Sequence, residues 1–138
     1  MSWQIRFLEP ERTIVITTSG SQDMEHAQQM ATEAVETATK HGAKRFLKDD
    51  RNSVLELTTV EIYGIPNLLL KAGIPRDSRV AVLIGSRCAR QADFEFFKSR
   101  MYNEGVPDVR IFTDSWDQAL AWLTEEQPGK TRKTQPTT

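Results

Sequence analysis

Four clusters in this chain hold residue types with chemical potential. In the first, Asp49 and Asp50 are adjacent carboxylates, followed by Arg51, Asn52 and Ser53, at the end of a β-rich run. Clustered carboxylates beyond a strand end can hold a divalent cation. That chemistry also needs a further carboxylate and a lysine at later strand ends. Asp114 stands where the carboxylate would be, but no lysine follows residues 79–85 or 109–113. Solvated loop charges, with a turn role for the aspartates, are the better reading.

The second cluster is Gly85, Ser86, Arg87, Cys88, Ala89 and Arg90, where strand-like sequence gives way to helix-like sequence. Free backbone N–H groups at a helix start, joined by Arg51, Ser86 and Arg87, could hold an anion. The same position could activate the Cys88 thiol. Yet the glycine is single and no Gly-Lys-Ser/Thr follows, so no phosphate loop is present. His26 and His41 fall on another helix or its end, and neither is placed as a base for Cys88.

Thr58 and Thr59 form the third. Thr58 is followed three residues later by Glu61, the spacing of a capping box. A phosphate at a helix N-terminus is electrostatically tolerated, which makes both threonines candidate phosphosites. Capping alone also accounts for them.

The fourth is an apolar excess. Val60, Ile62, Tyr63, Ile65, Leu68, Leu69 and Leu70 do not fit on one helical face. Such a segment is deeply buried or offers a surface to something else. Ile62, Tyr63, Ile65, Leu68, Leu69 and Leu70 are therefore read as an interaction surface for a protein partner, a second copy or an apolar ligand. A charge at Leu69 should weaken that association and leave the fold intact. In the alternative reading, a kink at Pro66 turns both halves to the core.

The elements that position these clusters alternate. Residues 4–8 and 13–18 are β-rich, separated by Glu9, Pro10, Glu11 and Arg12, which predicts an antiparallel hairpin. Ser21 or Asp23 can cap a first helix reaching about His41, with Gly42 as its stop. Its inward stripe is Met24, Ala27, Ala31, Ala34, Val35 and Ala38, small enough to bring the helix close to a sheet. Residues 44–48 predict a third strand. Gly64 and Pro66 predict a kink or two short helices ending at Gly73. Residues 79–85 (RVAVLIG), 92–104 and 109–113 (VRIFT) give strand, helix and strand, with Phe94, Phe97 and Met101 buried on that helix. A last helix, capped by Asp114 or Ser115, buries Trp116, Ala119, Leu120 and Leu123. Strands alternating with helices imply an α/β fold on a largely parallel sheet.

Composition excludes several classes. The 138 residues suit one domain, residues 1–126, with a tail (127–138) lacking large apolar anchors and expected to be disordered. Eighteen Lys and Arg against nineteen Asp and Glu give a net charge of −1 and no general attraction to nucleic acid or anionic membrane. Cys88 is the single cysteine, so neither an internal disulfide nor a cysteine zinc cage can form. Residues 80–84 are the longest apolar run, too short for a bilayer span. No secretory signal is visible at the start, and a cytoplasmic location is expected.

Several stretches resemble the anti-sigma-factor-antagonist, or STAS, domain, the SpoIIAA-like fold grouped with CRAL-TRIO lipid-binding proteins. They are FLKDDR (46–51), IYGIPNLLLKAGIP (62–75), RVAVLIG, DFEFFKSRMYNEG (93–105) and VRIFTDSWDQALAWL (109–123). The resemblance implies a mixed five-stranded sheet, an entry hairpin and about four helices. It also implies a non-enzymatic regulatory domain that works by binding, with no cofactor. The domains it resembles carry an Asp-Ser pair at the second helix, where the Ser is phosphorylated; here Leu57, Thr58 and Thr59 stand there, so the aspartate is missing. A protein partner or homodimer is expected through the second helical region. The alternative is a small apolar ligand near Tyr63, Leu69 and Phe96. An enzyme or nucleotide binder using Asp50, Arg51, Arg87 and Cys88 ranks last.

Overall fold

The computed structural model of the protein describes residues 1–87, 92 and 108–125. Five strands form one sheet in the order β1 (Ser2–Leu8), β2 (Thr13–Gln22), β3 (Arg45–Leu55), β4 (Arg79–Ile84) and β5 (Val109–Thr113). β1 is an antiparallel edge strand on β2, and the other three pairings are parallel. The entry hairpin and mixed sheet read from the sequence are both present.

Parallel neighbours require crossovers, and helices supply them. α1 (Met24–His41) joins β2 to β3, and α2 (Thr59–Tyr63) with α3 (Ile65–Ala72) joins β3 to β4. α4 (Trp116–Thr124) follows β5. The expected helix over 92–104, with Phe94, Phe97 and Met101, lies outside the described residues except for Ala92. So do Cys88, Phe96 and the tail 127–138.

α1 begins where Asp23 accepts from the His26 N–H and ends where Gly42 adopts φ 64°. In that left-handed conformation the Gly42 N–H reaches Ala38 and Thr39 carbonyls. Met30, Ala34, Val35 and Ala38 of α1 pack with Ile14, Ile16, Phe46, Val80 and Val82 on one sheet face. α4 covers the other face, where Ala119, Trp122 and Leu123 meet Val15, Leu47, Ala81 and Leu83. β4 is buried along its whole length, as expected of a strand covered on both faces.

β3 corrects the sequence reading. Residues 49–53, read as a loop, are strand, and β2 likewise runs on to Gln22. The last β3–β4 pair is Asp49 with Leu83, whereas β2 and β3 stay paired as far as Gln22 and Leu55. A two-stranded ribbon therefore projects past the sheet. Ladder hydrogen bonds satisfy the backbone of a segment whose composition alone favours a loop.

The register also shifts. β2 advances from Thr17 to Ser19 while β3 advances from Asp49 to Asn52, so β3 carries one extra residue. Before that bulge Phe46, Lys48 and Asp50 alternate onto the α1 face. After it the parity is reversed: Leu55 joins that face beside Gln22, and Val54 turns away, 62% exposed.

Candidate functional site

Where the ribbon leaves the sheet, polar side chains from β2 and β3 are packed below an apolar roof. Thr18, Gln22 and Asp50 are all buried, and Lys48 is part-buried. Asp50 Oδ1 accepts from Thr18 Oγ1 at 2.7 Å and from Gln22 Nε2 at 3.4 Å. Its Oδ2 accepts from Lys48 Nζ at 2.9 Å, and the same ammonium donates to Gln22 Oε1 at 2.7 Å. Ser53 donates to the Thr18 hydroxyl from the far side of the bulge. A carboxylate at 5% exposure persists because both its oxygens are met by donors.

Beside this network lies a cavity of about 110 Å³, between α1, the α2–α3 segment and the sheet. Its walls are apolar: Met30, Ala31 and Ala34 from α1, Ile62, Leu68 and Leu69 from the second helical region, Ile16, Phe46 and Val82 from the sheet. Gln22, Lys48, Asp50 and Leu55 close its ribbon end, and Ile74 and Val80 lie at the opposite end of the strands. Ala34 and Ala38 of α1 pack against the sheet as expected, and Ala27, Ala31 and Ala34 also line the hollow. The sequence pointed to none of Thr18, Gln22, Lys48 or Leu55. The one available signal was period-two alternation, which puts Lys48 and Asp50 on the face of Phe46.

The second helical region divides as the kink reading allowed. Thr58 accepts from the Glu61 N–H and donates its own N–H to the Glu61 carboxylate, completing the capping box. Gly64 ends α2, and α3 restarts at Ile65 with Pro66 in its first turn, where a missing N–H costs little. Ile62 is 2% exposed, and Ile65, Leu69 and Leu70 pack against the α1-side core. Leu68 stands between the cavity and an outer groove of about 390 Å³ along α1 and α3. Only Val60, at 77%, and Tyr63, at 38%, are large apolar side chains left exposed here. Of the six residues expected to form a surface, Tyr63 is exposed, Ile62 is buried and Ile65, Leu68, Leu69 and Leu70 are half-buried, so a charge at Leu69 would press on the core. Thr58 and Thr59 are both exposed. A phosphate on Thr58 would face the Glu61 carboxylate that now caps it.

At the C-terminal edge of the sheet, Arg51 and Ser86 do converge with Asp49 and Asp114, but as an internal lock. Arg51 holds Asp49 by Nε at 2.9 Å, Nη2 at 2.8 Å and its backbone N–H at 3.2 Å. Its Nη1 reaches the Asp114 carbonyl at 3.4 Å, and the Ser86 N–H donates to Asp114 Oδ1 at 3.2 Å. Asp114 adopts φ 63°, a left-handed conformation that aspartate tolerates. The Arg51 and Ser86 donors read as an anion site are thus engaged by the protein's own carboxylates, while Arg87 is exposed. Among the described residues no group of three His, Cys, Asp or Glu is placed to hold a metal.

Burial acts to raise the Asp49 pKa, but the side-chain and backbone hydrogen bonds from Arg51, with its charge, outweigh it and hold the carboxyl below its ordinary 3.8. A depressed folded-state pKa contributes stability that is complete above the unfolded value and lost as pH falls through the folded one. The stability gap between wild type and Asp49→Asn should therefore be constant above about pH 5 and close below pH 3.8. Urea midpoints measured from pH 6 to pH 2.5 would check this; a gap that widens on acidification would contradict it.

No family model matches the chain, and neither does any protein of curated function. Solved structures do match. The anti-sigma factor antagonist SpoIIAA in its unphosphorylated form superposes with a TM-score of 0.55 at 14% identity, over 88% of this chain and 95% of that one. The phosphorylated form of SpoIIAA, the Bacillus cell fate determinant, gives 0.51 at 15% identity, over 88% and 98%. An uncharacterised Shewanella loihica protein with a SpoIIAA-like fold gives 0.53 at 21% identity, over 88% and 92%. Among the described residues no helix is long and apolar enough to cross a membrane. The ordered sheet, its antiparallel entry strand and these superpositions agree: the chain has the SpoIIAA-like α/β fold.

Proposed function

We propose that this protein is a non-enzymatic regulatory module that binds a protein partner through α2. One observation carries the reading: among the described residues, Val60 and Tyr63 on α2 are large apolar side chains left exposed within one turn of each other, at 77% and 38%. The fold shared with an anti-sigma factor antagonist supports it by analogy. Glu56 and Glu61 accompany the patch. Two copies meeting face to face would oppose these carboxylates, so a different chain with a basic rim is the better occupant.

A photo-crosslinking residue at position 60 would identify the neighbour in cells, and the purified neighbour would then be titrated. Val60→Asp is expected to weaken binding by about tenfold or more. The melting midpoint should stay within about 2 °C, because an exposed side chain contributes little to stability. Wild-type affinity in the variant, or cross-links to a second copy alone, would reject the reading.

A second reading, a carrier or sensor of a small apolar molecule, is favoured by the cavity under α2 and α3. Its position revises the expectation from sequence. Leu69 lines it, Tyr63 does not, and Phe96 is outside the described residues.

A further inference from the structure

We infer that the cavity takes a small uncharged amphiphile, tail inward, with a carbonyl or similar acceptor oxygen held by Lys48. This rests on the second reading above and specifies its ligand. The end of the cavity is the argument. Apolar walls give a ligand no orientation, and a Lys–Asp pair is a costly lining for a hydrocarbon site, since burying charges generally offsets what their attraction returns. Yet Lys48 and Asp50 border the cavity directly.

Lys48 has three N–H donors. Among the described residues Gln22 Oε1 and Asp50 Oδ2 take two of them. The third is available to an acceptor in the cavity. Asp50 accepts only, and Thr18, Gln22 and Lys48 take three of its roughly four lone-pair sites.

Charge then selects the head group. The Asp50 carboxylate, 2.9 Å from Lys48 Nζ, balances the ammonium locally. A ligand carboxylate would meet an ammonium already paired and an acceptor-only carboxylate beside it, so an ion gains little over a neutral oxygen. An ammonium head would sit beside the Lys48 ammonium, with at most one lone-pair site of Asp50 left to it.

Geometry selects the orientation. Lys48 retains 27% side-chain exposure whereas Asp50 has 3%, so the polar end is also the end that meets water. The hollow runs from there past Ala31, Ala34 and Leu69 towards Ile74 and Val80. An engineered apolar cavity of about 150 Å³ accommodates benzene. The 110 Å³ here suits roughly four or five heavy atoms, with longer chains passing Leu68 into the outer groove.

The test uses the full chain, isotope-labelled for NMR titration, with three probes: hexan-2-one, hexanoate and cyclopentane. Hexan-2-one is expected to bind at least fivefold more tightly than hexanoate at pH 7.5. It should shift the Ala31, Ala34 and Leu69 methyls. In Lys48→Met, hexan-2-one should weaken by about tenfold, the range of one hydrogen bond to a charged donor, while cyclopentane is unchanged. If Lys48→Met does not fold, Lys48→Met with Asp50→Asn removes the uncompensated carboxylate and the comparison is made there. Cyclopentane binding with equal hexan-2-one affinity in wild type and variant overturns the head-group assignment and leaves the apolar-ligand reading standing. Hexanoate binding more tightly than the ketone also overturns it. If no probe binds, both fall.

Discussion

Asp50→Ala should lower the stability of this domain by about 3 kcal/mol, at the lower end of what removing one partner of a buried ion pair costs. Asp50 anchors three side chains rather than one. Gln22 loses an acceptor inside the protein, Thr18 keeps only the Asp49 carbonyl at 3.0 Å, and Lys48 loses its counter-charge. Each stranded buried donor costs about 1–3 kcal/mol. Lys48 lowers the total, because its partial exposure lets the ammonium find water. For a domain of this size the melting midpoint should fall by roughly 10 °C. Asp50→Asn, which keeps the shape and one acceptor oxygen, should lose about half as much. Urea denaturation of the three proteins measures both differences. An Asp50→Ala midpoint equal to wild type would mean the network contributes nothing, and with it the ordered end of the cavity.

Ile62→Ala should release α2. Ile62 is the buried residue of a five-residue helix, and truncating a buried isoleucine costs about 2–5 kcal/mol. A helix so short has little stability of its own without that contact. The loss should therefore appear mainly as local opening rather than as a lower global midpoint. The amides of Ile62 and Gly64 bond to the Thr58 and Val60 carbonyls and report on it. Their hydrogen exchange should accelerate by about 30-fold or more, up to the limit set by full detachment of α2, while the Val82 amide in β4 should change far less. Partner capture should fall with it, because Val60 and Tyr63 depend on α2 for their placement. Uniform acceleration across the sheet would show instead that α2 is integral to the core.

Much of the scaffold is local chemistry and was legible on that account. Asp23 and Gly42 delimit α1, and Thr58 with Glu61 starts α2, because caps act within a turn of the chain. Gly64 and Pro66 divide the second helical region by their backbone properties alone. The β4 run of Arg79–Ile84 announces a strand covered on both faces. The misreadings have a common cause. Residues 49–53 resemble a loop in composition, yet they find a ladder partner in residues more than thirty positions earlier. Arg51, read as an anion ligand, meets a nearer carboxylate in Asp49 once β3 continues as strand. Leu69 and Tyr63 look equivalent in an apolar run, and only their directions on either side of Gly64 separate them.

Spacing, caps and β-branched runs were enough to specify alternating strands and helices on a mixed sheet, since each acts through neighbours along the chain. The network of Thr18, Gln22, Lys48 and Asp50, and the hollow beside it, depend on which residue of β2 lies against which residue of β3. One extra residue at the bulge settles that. Such a register is fixed by packing between segments far apart in the chain, so it exists only once the sheet has formed.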